Sequence, residues 1–96
     1  MELFIFVRFH ARANREDAVE RALREVSGPT REEPGCLGYQ LFRSIRDPGL
    51  FYVHSRWKDE AAFETHAELP HTVRFLEHVA PLVDHPVEAA RTRLIG

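Results

Sequence analysis

Three side chains with chemical potential fall within one stretch, residues 50–75, LFYVHSRWKDEAAFETHAELPHTVRF. Trp57 closes a strand rich in aromatic and β-branched residues. His66 lies in the helix that follows, and His71 stands at the start of a second helix. A strand end, a helix face and a helix N-terminus that converge are the parts of a small-molecule pocket. Histidine is the side chain suited to taking a proton near neutral pH. His66 comes three and four residues after Phe63 and Ala62, so it shares their apolar face and its ring enters an apolar space as a proton acceptor. His71 is the second choice of base. The backbone N–H groups beside it, at a helix start, could instead hold a substrate anion.

Each of these residues also has a structural reading. A buried histidine is often held by a hydrogen bond within the core. His71 can serve as a capping residue. Trp57 shares a strand face with Phe51, Val53 and Ser55 and suits a packing anchor and pocket wall better than a reactive group. His66 and His71 are five apart with Pro70 between them, which is not the i, i+4 helical pair used for zinc, and no metal is expected. His54 and Arg56 lie on the face opposite Trp57, with Arg8 and His10 on the matching face of the first strand. His78 and His85 read as surface residues. The single cysteine, Cys36, follows a turn glycine and reads as a small buried residue.

The elements that must position these groups follow from pattern and punctuation. Residues 2–10 alternate yet are apolar on both faces, with Leu3, Ile5, Val7 and Phe9 on one and Phe4 and Phe6 on the other. A strand with two apolar faces is usually covered on both. One cover is the chain's own helices. The other is expected from a second copy, giving a homodimer of stacked sheets. Asn14 is a candidate cap for a helix with Glu16 and Asp17 in its first turn. Gly28-Pro29 is expected to kink or end that helix, with helix able to resume through Thr30-Arg31-Glu32, and Glu33-Pro34-Gly35 is a firm stop. Residues 37–46 read as a second strand. Asp47-Pro48-Gly49 is a hairpin turn leading into the strand 50–57. Asp59 caps the next helix, and another begins near Pro70. Residues 87–94 make a last strand. The order β-α-β-β-α-α-β is that of a ferredoxin-like α+β fold, with a four-stranded antiparallel sheet and helices on one face.

Composition narrows the function classes. A chain of 96 residues makes one domain. Its net charge of −2 gives no general attraction to nucleic acid or to an anionic membrane. One cysteine permits no internal disulfide, which suits a cytoplasmic protein. The apolar start MELFIFVRFH falls well short of the roughly 20 residues of a membrane span and reads as the first strand.

With that order in place, specific residues resemble the antibiotic biosynthesis monooxygenase family, whose members are dimeric α+β barrels and include quinol monooxygenases. The resemblance spans residues 2–94 as one domain. It rests on Glu33-Pro34-Gly35-Cys36, Tyr39, Trp57, Ala62-Phe63, His66 and Pro70-His71, with Trp57, His66 and Pro70-His71 at the spacing of the quinol branch. It implies a cofactor-independent oxidoreductase that oxidises a quinol or polycyclic phenol, a small aromatic substrate, with dioxygen. His66 and His71 would be catalytic, and Val7, Val53, Ser55, Trp57 and Phe63 would bind substrate. Val53 stands where some oxygenases of the family carry asparagine. Val7, His66 and Leu76 stand where the haem-degrading branch carries asparagine, tryptophan and histidine, so haem ligation is not expected. A non-catalytic small-molecule-binding or stress-related protein is the alternative, and an isomerase on the same barrel is a third reading.

Overall fold

The computed structural model describes all of residues 1–96. Strand β1 (Leu3–His10) is central, bonded on one side to β3 (Leu50–Trp57) and on the other to β4 (Ala89–Thr92). Strand β2 (Cys36–Arg43) pairs with β3 through the hairpin at Asp47-Pro48-Gly49, and the sheet order is β2-β3-β1-β4. Every pairing is antiparallel. Helices α1 (Glu16–Arg31), α2 (Glu60–Glu68) and α3 (Pro70–Val79) complete the ferredoxin-like α+β fold. No helix is long and apolar enough to cross a membrane.

The register decides which side chains meet the helices. Leu3 faces Trp57, Ile5 faces Ser55, Val7 faces Val53 and Phe9 faces Phe51. These pairs share one sheet face, and all of them except half-buried Val7 are buried. They form two apolar groups. One gathers Phe9, Phe51 and Val53 with Val19 and Leu23 of α1 and Val79 of α3. The other is Leu3, Ile5 and Trp57, backed by Ala62 and Phe63 of α2. Val7 touches both. The opposite face keeps its apolar side chains in the open: Phe6 is 51% exposed, Phe42 50% and Tyr52 42%. His54 lies there too, packed against Phe6 and Phe4.

Several boundaries differ from expectation. Asn14 does not cap α1. It takes a left-handed backbone (φ 66°), which asparagine tolerates better than most residues. The capping position falls to Arg15, which offers no side-chain bond. Nor does Gly28-Pro29 end α1, which runs on to Arg31. Pro29 removes one helical hydrogen bond on an exposed flank, while Val26, Ser27 and Thr30 stay buried and hold the last turn in place. Strand β2 stops at Arg43 because Ser44 turns the chain, its hydroxyl accepting from the backbone N–H groups of Arg46 and Asp47. Strand β4 is shorter than residues 87–94, covering only Ala89–Thr92.

Gly35 sets how the α1–β2 loop meets α2. A Cβ at Gly35 would sit 2.4 Å from the Ala62 Cβ. The Gly35 carbonyl also accepts from the backbone N–H of Lys58. This close approach brings the loop, and Glu33 within it, against the helix that carries His66 one turn beyond Ala62. Gly35→Ala is therefore expected to destabilise the protein by about 1–3 kcal/mol through overpacking, measured by denaturant unfolding. Adding Ala62→Gly should restore part of that loss, less its own helix cost of about 1 kcal/mol.

Candidate functional site

A cavity of about 240 Å³ lies between the sheet and α2 and α3, where the two apolar groups fail to close on each other. Twelve of its fifteen lining residues are hydrophobic. Val7, Val53, Ser55, Phe63 and His66 are on its wall, joined by Tyr39, Thr72, Phe75 and Leu76. No lysine or arginine lines it. Larger clefts exist, such as one of about 390 Å³ between α1 and β2, but that groove is lined by the ion-paired Glu20, Arg24 and Arg43. An apolar cavity with a few convergent polar groups is the better ligand site.

His66 reaches the cavity because α2 starts where it does. The Asp59 carboxylate accepts from the Ala62 N–H at 2.8 Å, fixing the first turn. That sets Phe63 and His66 on the face towards the sheet. The His66 ring packs against the indole of Trp57, with centroids 4.6 Å apart, and against Phe63 at 5.7 Å. Its Nδ1–H donates to Glu33 Oε2 at 2.8 Å. The Thr72 hydroxyl lies 3.3 Å from the same nitrogen. A carboxylate only accepts, so the bond to Glu33 assigns the ring proton to Nδ1. In the neutral ring Nε2 is then the free acceptor, and the ring that carries it lines the cavity.

His71 stands elsewhere. Leu69 is extended (ψ 146°) and separates α2 from α3, with Pro70 opening the second helix. His71 meets the same carboxylate and lines a cleft between α1 and α3, beside Glu25, Arg74 and His78. Its Nε2–H donates to Glu33 Oε2 at 2.7 Å, so one oxygen accepts from both histidines. The side chains of Glu33 and His66 are 8% and 9% exposed, that of His71 20%. The expected pocket wall therefore needs correcting at two positions. His71 does not line the cavity. Trp57 is fully buried (0% exposed) behind the wall, where its Nε1–H donates to Ser55 Oγ at 3.0 Å. With an acceptor position of Ser55 taken by the indole, its own hydroxyl proton is available to the cavity.

Two residues matter more than spacing indicated. Glu33 stands in the sequence as part of a helix stop and of the Glu33-Pro34-Gly35-Cys36 motif, with no chemical role attached, and nothing in sequence spacing ties it to histidines 33 and 38 positions away. Tyr39, from β2, shares the cavity wall. Burial, with the nearby Cys36 and Glu33 adding to it, pushes its phenol up to about 12. It therefore remains a neutral hydrogen-bond donor across the whole working pH range. A Tyr52→Phe variant should show the remaining tyrosine ionising at about pH 12 in an ultraviolet titration. Because the folded value lies above the ordinary 10.0, this group's contribution to stability is complete below pH 10 and falls away as pH rises through about 12. The Cys36 thiol is also raised, chiefly by burial, and its S–H faces the Gly38 carbonyl, so it is a poor nucleophile.

Comparison with known proteins gives a consistent picture. The family model described as antibiotic biosynthesis monooxygenase matches residues 3–78. A Mycobacterium tuberculosis protein named "Putative monooxygenase Rv0793" is 30% identical over 83 residues, covering 86% of this chain and 81% of its own. Its solved structure superposes with a TM-score of 0.93 at 25% identity, covering 100% and 97% of the two chains. "Putative monooxygenase YcnE" of Bacillus subtilis is 34% identical over 65 residues, 68% of each chain. The crystal structure of PA3566 from Pseudomonas aeruginosa matches with a TM-score of 0.91 at 32% identity, covering 99% of this chain and 95% of that one. On the matched residues 3–78, which hold the Glu33–His66–His71 cluster and most of the cavity wall, the chain belongs to the antibiotic biosynthesis monooxygenase family.

Proposed function

We propose that the protein is a cofactor-independent monooxygenase that oxidises a quinol or polycyclic phenol with dioxygen, using His66 as the base. One observation carries the reading: Glu33 holds the Nδ1 proton of His66, which leaves Nε2 as the acceptor of a ring that lines an apolar cavity. His66 Nε2 takes the phenolic proton. The resulting anion is electron-rich enough to pass one electron to dioxygen, and the radical pair joins to form a carbon–oxygen bond. The O–O bond then breaks, one oxygen staying on the ring and the other leaving as water with two protons. For a hydroquinone the balance is quinol plus O₂ to hydroxyquinone plus water, and the substrate supplies all four electrons. Ser55 and Tyr39 line the same cavity; in this reading their hydroxyls donate to the substrate oxygens and the apolar wall keeps water from the radical pair.

The family's monooxygenase names support this chemistry at a general level. The apolar lining supports an uncharged aromatic substrate. One relative, a Yersinia enterocolitica isomerase of a phosphorylated pentanedione, is 33% identical over 64 residues, and proton transfer without oxygen would use the same base. A phosphorylated substrate, however, would find no cation on this cavity wall. The test is oxygen uptake with a panel of hydroquinones and anthrones, with products identified by mass spectrometry. Incorporation of one atom from ¹⁸O₂ is expected. Binding without oxygen consumption for every member would favour the non-catalytic alternative.

We further propose that the working form is a homodimer joined through the open sheet face of Phe6, Phe42, Tyr52 and His54. Those aromatic side chains form an apolar surface that water would otherwise cover. Sedimentation equilibrium should give twice the 11.1 kDa chain mass at micromolar concentration. Phe6→Glu should shift it to monomer.

A further inference from the structure

The geometry points to a transition-metal site at Glu33, His66 and His71, a two-histidine, one-carboxylate set that takes Zn²⁺ or a similar divalent ion. The three donor atoms lie within 4.8 Å of one another. They come from three separate elements: the α1–β2 loop, α2 and the first turn of α3. Both histidine nitrogens point at one carboxylate oxygen, at 2.8 and 2.7 Å. A tetrahedral zinc, about 2.0–2.1 Å from each ligand, needs ligand atoms roughly 3.3 Å apart. A shift of about half an ångström in the carboxylate would open the two short contacts to that spacing. The donor set suits zinc or copper and not the hard ions magnesium and calcium, which want more oxygen ligands. The partly exposed His71 borders the α1–α3 cleft and gives an ion a route in.

Spacing along one helix does not find this set, because the two histidines sit on different helices and the third ligand is on neither. The surface cluster of His10, Asp84 and His85 is a weaker candidate. Both ring nitrogens of His10 are already committed to carboxylates, Asp84 at 2.8 Å and Asp47 at 3.1 Å, and the cluster is open to solvent.

Metal binding has a consequence for His66 that rests on the reading of that residue as the base. A metal on Nδ1 takes the position of the ring proton, so a neutral ring must carry its proton on Nε2. The nitrogen offered to the cavity then donates where it had accepted, and the base is switched off. Zinc would act as an inhibitor at a site shared with the catalytic dyad, reversed by a chelator.

The experiment is calorimetric titration of chelator-treated protein with Zn²⁺, with Mg²⁺ as control and bound metal counted by elemental analysis. One Zn²⁺ per chain is expected, with no heat from Mg²⁺. Glu33→Gln and His71→Ala should each weaken it by at least about 100-fold, the upper end of what losing a mere outer partner costs, while Asp84→Asn leaves it unchanged. Thermal melts identify variants that remain folded, and Glu33→Gln preserves side-chain shape should His71→Ala unfold. Stoichiometric binding that survives both Glu33→Gln and His71→Ala, or that is lost in Asp84→Asn, would overturn the site. So would wild-type protein that turns over a quinol yet takes up no zinc. Zinc bound by a protein inert to every quinol would leave the site standing and sink the oxygenase reading instead.

Discussion

Replacing His66 by alanine is expected to lower turnover of an accepted quinol by about 10²–10⁴-fold, the range for loss of a general base, while the protein stays folded. The ring is the only imidazole on the cavity wall. Its orientation is set three times over, by the bond to Glu33, by the indole of Trp57 at 4.6 Å and by Phe63 at 5.7 Å. Alanine leaves a gap continuous with the cavity, which free imidazole added to the assay should enter and so restore part of the rate. A merely structural histidine would show neither the rate loss in a folded protein nor the chemical rescue. His71→Ala should cost much less, because His71 faces the α1–α3 cleft and acts on the cavity only through Glu33. Full activity in His66→Ala together with none in His71→Ala would exchange the two roles.

How much of this could be read from sequence depends on the range of the interaction. The alternation in β1 divided its residues between two faces but did not say which face meets the helices; the packing of Leu3, Ile5 and Phe9 against the helices settles that. The turn chemistry of Asp47-Pro48-Gly49 located the hairpin, since Asp47 accepts from the Gly49 N–H as such turns require. Local signals failed where packing outweighed them. Pro29 lies inside α1 because the buried Val26 and Thr30 hold the turn around it. Asn14 is left-handed because the chain must reverse between β1 and α1. At the site, His66 was legible from its face on α2. The position of His71 was not, because a single extended residue, Leu69, reorients α3 relative to α2. Glu33 was the least legible, its role depending on the Gly35–Ala62 contact that docks its loop.

Glu33→Ala is expected to cost about 2–4 kcal/mol of stability in denaturant unfolding. One carboxylate oxygen accepts from two histidine N–H groups; its removal leaves His71 without this partner and His66 with only the longer contact to the Thr72 hydroxyl at 3.3 Å. An unpaired buried donor costs about 1–3 kcal/mol. Two together would reach roughly 2–6, but His71 is 20% exposed and can turn to water, which favours the lower part of that range. The isosteric Glu33→Gln separates packing from proton placement. Its amide oxygen can still accept, so the stability loss should be smaller, near 1–2 kcal/mol. Yet its NH₂ can also donate, which permits His66 to hold its proton on Nε2, the wrong nitrogen for a base. The comparable change in a serine-protease triad costs about 10⁴ in rate. Here the expected loss is about 10²-fold, because the amide can still favour the productive tautomer in one of its two orientations. In the double variant Glu33→Gln/His66→Ala the two rate losses should fail to add, since the carboxylate acts only through the ring. Full additivity would mean that Glu33 affects turnover by another route, and the dyad would have to be abandoned.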